Sequence, residues 1–246
     1  MLFRHRGAGK PLSLIAPLAY QDPKPAGARM STITLIRHGQ ANSTATDEAG
    51  YDRLSDLGHI QAKWLGTHLR ETGAHHTRLF TGTLRRHIET ANGMDMGLTP
   101  TRDPRLNELE YFTLGGLLAQ QHGVPFPKEQ PEFIAHLPAV FQHWKDDKLE
   151  GAPETYTAFQ TRIRDALAEI ASGSGPALVV TSGGLIAHVM AQQMDLGVIA
   201  TARTAIAIFH TSLHQFHPIG GHLSPVLFNA TPHLDTPERG LSKTNI

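Results

Sequence analysis

Arg37-His38-Gly39 stands directly after the apolar, β-branched run Ile33-Thr34-Leu35-Ile36. The order places a cation, an imidazole and a residue without a side chain at the carboxyl end of a predicted strand. In open α/β sheets that end is where ligands are held. Each residue type suits phosphoryl transfer. An imidazole can attack phosphorus and carry the group covalently. A guanidinium offers a planar fork to two phosphate oxygens. Gly39 allows a close backbone approach to an anion and can adopt positive φ.

A second group follows in Thr81-Gly82-Thr83-Leu84-Arg85-Arg86-His87-Ile88-Glu89-Thr90-Ala91. A strand ends, a glycine-containing turn follows, and a helix opens with two arginines in its first turn. Cations are unfavourable at that end of the helix dipole. The expectation is either an anion bound by the helix start and a guanidinium together, or a solvated basic face. His210, His214, His217 and His222 form the densest histidine group. The preceding Ala205-Ile206-Ala207-Ile208-Phe209 reads as a strand, which puts His210 and His214 on one face and His217 on the other. No flanking carboxylate completes a ligand set, so these are read as surface or packing histidines and no metal site is assigned.

The elements that must position these residues alternate from Thr32 onward. Strands are expected at Thr32–Ile36, Arg78–Thr81, Ala177–Thr181 and Ala202–Phe209. Helices are expected at Leu57–Glu71, Leu84–Gly93, Glu154–Ala171 and Gly184–Met194. Ser55 is the expected N-cap of the first helix and Gly73 its stop. Residues 113–150 lack strand signals and contain Pro125, Pro127, Pro131 and Pro138. They read as an irregular or helical insertion across the mouth of the site. The alternation predicts a three-layer α/β/α sandwich around a mostly parallel sheet, in one domain over 31–246. Residues 1–30 have a basic start and a proline-interrupted apolar stretch, and they read as a disordered or loosely docked extension or a non-native start. An export signal is the alternative.

With 246 residues, the chain can bury a substantial core. Its formal net charge of zero argues against a nucleic-acid partner. No apolar run reaches the ~18 residues of a membrane span. Cysteine is absent, which excludes disulfides, thiolate metal sites and cysteine nucleophiles and is compatible with a cytoplasmic location.

Ile33 to Gln40, Leu54-Ser55-Asp56-Leu57-Gly58-His59-Ile60-Gln61-Ala62 and Leu84 to Ala91 together resemble the histidine phosphatase superfamily, the family of phosphoglycerate mutases and related phosphatases. The resemblance spans about residues 31–230. It implies a phosphoglycerate mutase-like fold, His38 as the nucleophile that becomes phosphohistidine, and Arg37 and Arg86 as the phosphate-binding arginines. Arg85 is then the neighbour that points to solvent or the rim. Leu106-Asn107-Glu108-Leu109-Glu110-Tyr111 resembles the segment that supplies the general acid, with Glu108 in register and Glu110 as its competitor. A carboxyl group beside a phosphate should have a raised pKa.

The sequence departs from the family pattern at Val179-Val180-Thr181-Ser182-Gly183-Gly184, where Ser182 stands in place of a second histidine. A branch of the family resembles this Ser-Gly-Gly. Ser182 and the Gly183 N–H can still bind a phosphate oxygen, but serine supplies no charge. His188, one helical turn further on, is not read as the replacement. A histidine restored at 182 is expected to raise the rate if the pocket has room. The implied activity is a metal-independent phosphomonoesterase that needs no cofactor and acts on a small phosphorylated substrate. A mutase is the first alternative, although Gln40-Ala41-Asn42-Ser43-Thr44 lacks the mutases' Trp-Asn pair. A non-catalytic phosphate-ligand-binding protein is the second.

Overall fold

The computed structural model describes residues 30–245, so apart from Met30 the expected extension lies outside the described residues. Strands β1 (Ile33–Arg37), β2 (Arg78–Thr81), β3 (Pro100–Arg102), β4 (Ala177–Thr181), β5 (Leu213–Ile219) and β6 (His222–Ala230) form one sheet in the order β3-β2-β4-β1-β5-β6. The first four in that order run parallel, while β5 and β6 are antiparallel additions.

Period-two alternation divides the core between the two faces of the sheet. Ile33, Leu35, Ala177 and Val179 pack against α6 (Tyr156–Ser172) and α7 (Gly183–Met194) through Phe159, Ile163, Leu185 and Val189. Ile36, Leu178 and Val180 pack against α2 (Asp56–Glu71) and α3 (Arg85–Met94) through Leu65, Leu69, Ala91 and Met94. The result is the expected α/β/α sandwich. Ser55 caps α2 by accepting a hydrogen bond from the Gly58 N–H, as expected.

In place of the strand expected at Ala202–Phe209, the chain forms α8 (Val198–Ala207). A short apolar run does not separate a buried strand from a buried helix by period. Here four alanines favour the helix, with Val198 and Ala202 on the buried side. The sheet strand begins later, at Leu213. It turns through Gly220-Gly221 into β6, with φ of 61° and 86° at the two glycines. Left-handed backbone at both central residues suits a tight hairpin.

The segment 113–150 is helical. It contains most of α4 (Tyr111–His122) and all of α5 (Gln130–Lys145), and Pro138 lies inside α5. Gly39 serves a purpose other than positive φ. A Cβ there would lie 2.4 Å from the Gly58 carbonyl oxygen, so the loop after β1 can cross the start of α2 only without a side chain.

Candidate active site

The parallel register sets Arg37 at the end of β1 beside Thr181 at the end of β4, with Thr81 ending β2 next to Val180. Three carboxyl ends thus converge, and the segments leaving them supply His38, Ser182 and α3. A cavity of about 520 Å³ opens there, with Arg37, His38, Arg86, Glu108 and Gly183 among its lining residues.

His38 is buried, and its Nδ1 lies 2.7 Å from the Gly39 carbonyl oxygen. A carbonyl can only accept, so Nδ1 carries the proton and the lone pair resides on Nε2. Nε2 has no hydrogen bond among the described residues. Burial, reinforced by the charges of Arg86 and Arg37, holds the His38 pKa well below the usual imidazole range. The ring is therefore neutral at neutral pH.

Arg37 donates through Nη1 to the Ile208 carbonyl and to the Asn245 carbonyl, 2.7 Å away in the C-terminal tail. Arg86 is clamped at 3.0 Å by Asp52, at the end of α1 (Glu48–Tyr51), and its guanidinium lies 5.1 Å from the centre of the Tyr51 ring. Both guanidinium groups keep a buried Nε with no hydrogen-bond partner among the described residues. Arg37 and Arg86 both line the cavity, so the two guanidinium groups bring positive charge to an oxyanion held there. Arg85 is exposed and pairs with Glu89 at 2.6 Å.

The α3 start is completed by a protein carboxylate. Asp52 accepts from the Arg85 N–H at 2.9 Å and the Arg86 N–H at 3.2 Å. The helix start is thus neither a solvated basic face nor open to a ligand anion at its backbone donors, because the protein's own Asp52 carboxylate occupies them. A phosphate would meet the Arg86 side chain there rather than those two backbone donors.

Glu108 follows the turn Pro104–Leu106 and reaches the start of α7. One carboxyl oxygen accepts from the Gly184 N–H at 2.7 Å, the other from the Leu109 N–H at 3.0 Å. A Cβ on residue 184 would lie 2.6 Å from Glu108 Oε1, which accounts for the second glycine after Ser182. The Glu108 pKa is raised, as expected, but its cause is burial. Arg86 and the two backbone N–H groups pull in the opposite direction. Glu110 accepts from the Thr113 hydroxyl at the exposed start of α4.

Ser182 does not cap α7 with its side chain. Its Oγ lies 2.6 Å from Nε2 of His87, which is fully buried. His87 and His210 both stand with ring centres 5.7 Å from that of His38. These are the site histidines that the sequence did not reveal. His87 is the residue after Arg86, and the small residue at 182 is the sequence signal for the space its imidazole fills. In the sequence His210 reads as a packing or surface histidine, because no flanking carboxylate completes a ligand set with its group. With α8 ending at Ala207, His210 instead falls in the turn beside β1, where its Nδ1 is 2.9 Å from the Thr244 carbonyl. Of its group, His214 is buried against Ser212, while His217 and His222 are exposed. His188 sits among Phe141, Trp144, Tyr156 and Phe159, with Nδ1 2.7 Å from the Gly184 carbonyl oxygen, which makes it a core residue. Among the described residues no three His, Asp or Glu side chains converge as metal ligands, and no helix is long and apolar enough to cross a membrane.

Residues 33–231 match the histidine phosphatase superfamily (branch 1), and the chain belongs to that family. A 2,3-bisphosphoglycerate-dependent phosphoglycerate mutase of Corynebacterium jeikeium is 36% identical over 106 residues, 40% of this chain and 42% of its own. One from Tropheryma whipplei is 38% identical over 111 residues, 41% of this chain and 49% of its own. The matched stretch thus spans less than half of these curated relatives. Among solved structures, a phosphoserine phosphatase mutant of Entamoeba histolytica bound to phosphoserine aligns at TM-score 0.62 and 14% identity, covering 83% of this chain and all of that one. A Bacillus anthracis phosphoglycerate mutase aligns at 0.61 and 21%, covering 84% and 96%. A mycobacterial glucosyl-3-phosphoglycerate phosphatase aligns at 0.57 and 23%, covering 81% and 99%. At these identities the structures share the fold.

Proposed function

We propose that this protein is a metal-independent phosphomonoesterase working through a phosphohistidine. The observation that carries the reading is the His38 imidazole, neutral and with Nε2 as its free lone pair, in a cavity that the guanidinium-bearing Arg37 and Arg86 also line. In the first step Nε2 attacks phosphorus and the bond to the ester oxygen breaks. The Glu108 proton passes to that oxygen, so the alcohol leaves neutral. Arg37 and Arg86 face the phosphoryl oxygens and offset the charge that spreads over them. The positive charge left on the phosphorylated ring is held against the Gly39 carbonyl. In the second step water attacks phosphorus while the Glu108 carboxylate takes its proton. The P–N bond breaks, and phosphate and neutral His38 are released.

Ser182 takes part through His87. Burial keeps His87 neutral, and its Nδ1 has no partner among the described residues. An unpaired buried N–H costs more than an unpaired nitrogen lone pair, so the proton belongs on Nε2. Ser182 Oγ then accepts from His87, and the pair stands behind the cavity, whose lining includes Gly183 and Gly184 but neither Ser182 nor His87.

Hydrolysis is favoured over a mutase reaction by the charges of the cavity. A phosphoglycerate carries a carboxylate as well as a phosphate. Beyond the two arginines the lining offers Lys128, offset by Glu48 and Glu129. The test is release of inorganic phosphate from phenyl phosphate in the presence of EDTA. The wild type is expected to turn over and His38→Ala is not. Loss of activity on chelation, restored by a divalent cation, would overturn the metal-independent mechanism.

A further inference from the structure

The walls of the cavity above His38 differ in chemistry from its floor. Phe112, in the first turn of α4, stacks on Phe126 with ring centres 5.7 Å apart and planes 12° apart. Tyr111 meets Phe126 at 5.5 Å and Phe133 at 5.2 Å. Its hydroxyl is committed to His136 Nδ1 at 2.9 Å, so its polar end is already engaged. Leu137 of α5 and Ile206 of α8 extend the apolar wall. The arrangement is built in, because a Cβ at residue 115 would lie 2.7 Å from the Phe126 ring, and only glycine lets that ring seat against α4.

Charge on these walls is sparse and leans acidic. Glu48 is half-buried and accepts from the Phe112 N–H at 2.8 Å. Its pKa is raised by burial, partly opposed by that bond. A second anionic group on a substrate would meet this carboxyl and the aromatic faces instead of a cation. Lys128 and Glu129 are neighbours on the exposed rim and offset one another.

We infer that the substrate is the monophosphate ester of an uncharged, largely apolar alcohol, whose ring or chain lies between Phe112, Phe126, Phe133 and Ile206. The inference rests on the phosphomonoesterase reading and adds to it the nature of the leaving group. A cavity of about 520 Å³ holds more than a phosphoryl group, and pockets of this size with apolar walls and few polar groups bind small molecules mainly through the walls.

The test is the specificity constant along ethyl, butyl, hexyl and octyl phosphate, with 3-phosphoglycerate and phenyl phosphate alongside. Each buried methylene is expected to raise kcat/KM up to ~4-fold until the cavity is full. Hexyl phosphate should therefore exceed ethyl phosphate by at least ~10-fold, and 3-phosphoglycerate should fall below both. Phe126→Ala should reduce the hexyl-to-ethyl ratio, and Ile206→Lys should raise 3-phosphoglycerate relative to hexyl phosphate. Both readouts are ratios and do not depend on the folded fraction of the variant. A flat or falling series, or 3-phosphoglycerate turned over as well as hexyl phosphate, overturns the inference. If phenyl phosphate is hydrolysed in that case, the phosphomonoesterase reading stands. If none of the esters is hydrolysed, that reading falls and takes the inference with it.

Discussion

Glu108 and His38 owe their proposed roles to the same cause acting in opposite directions. Burial disfavours charge, so it raises the pKa of the carboxyl and lowers that of the imidazole. The pH dependence follows from these signs. As pH rises through the raised Glu108 pKa, the acid form is lost and the rate on alkyl phosphates should fall. As pH drops through 6.5 the nucleophile should persist, because the folded pKa of His38 lies well below that value. kcat/KM for an alkyl phosphate should therefore be lost on the alkaline side, and a loss of rate between pH 7 and 6 in folded enzyme would contradict the His38 assignment. Glu108→Gln should cost ~10²–10⁴-fold on alkyl phosphates. With 4-nitrophenyl phosphate, whose leaving group departs unaided, the variant should instead give a burst of one nitrophenolate per site and then a slow steady state. Stopped-flow absorbance would show whether that burst is present.

At the scale of elements, the site is a meeting of strand ends with helix starts, and each helix start is finished by a carboxylate from elsewhere in the chain. Asp52 completes α3 and Glu108 completes α7. The contact of His87 at the start of α3 with Ser182 at the end of β4 changes the expectation for position 182. Oγ and Nε2 are only 2.6 Å apart, so an imidazole at 182 has no room while His87 is in place. Ser182→His alone should lower both kcat and thermal stability, because overpacking a buried site typically costs ~1–3 kcal/mol. Joined to His87→Ala, the same substitution should regain activity relative to either single variant. A double-mutant cycle on phenyl phosphate measures this, and strict additivity would show that the two positions do not share a function.

The elements themselves were largely legible in the sequence. Alternating apolar runs marked β1 and β4, and caps and helical spacing marked α2 and α6. What was not legible depended on distance along the chain. Nothing near Arg85 announces Asp52, because the contact forms only when the loop after β1 folds over α3. His87 and His210 looked like ordinary histidines until the sheet register brought both rings to His38. The Ala202–Phe209 error had a local origin, since alanine-rich apolar runs fit either element. Gly220-Gly221 between two apolar runs is a hairpin signal of the same local kind.

Over the whole molecule, the buried histidines couple stability to pH. His38, His87, His188, His210, His214 and His233 all have pKa values depressed by burial, to about 4 for His188 and about 3 for His214 and His233. The unfolded chain takes up protons below pH 6.5 while the folded chain does not, so stability is full above that pH and is lost as pH falls toward the folded values. Each such residue should forfeit ~1 kcal/mol between pH 7 and 5.5. Together that is several kcal/mol, comparable to the total stability of many domains. The urea midpoint should therefore drop steeply between pH 7.5 and 5.5, and the acid limb of activity should coincide with unfolding rather than with protonation of His38. An unchanged midpoint would mean that these imidazoles are charged in the folded protein.

The central claim is that His38 carries the phosphoryl group, and rapid-quench trapping tests it most directly. Wild-type protein mixed with labelled phenyl phosphate and quenched in alkali should hold acid-labile, alkali-stable label, and peptide mapping should place that label on His38. Under the same conditions His38→Ala should hold none and release no phosphate while keeping the wild-type melting profile. Equal labelling of the two proteins, or phosphate release by the wild type with no trapped phosphohistidine under any quench time, would contradict the account.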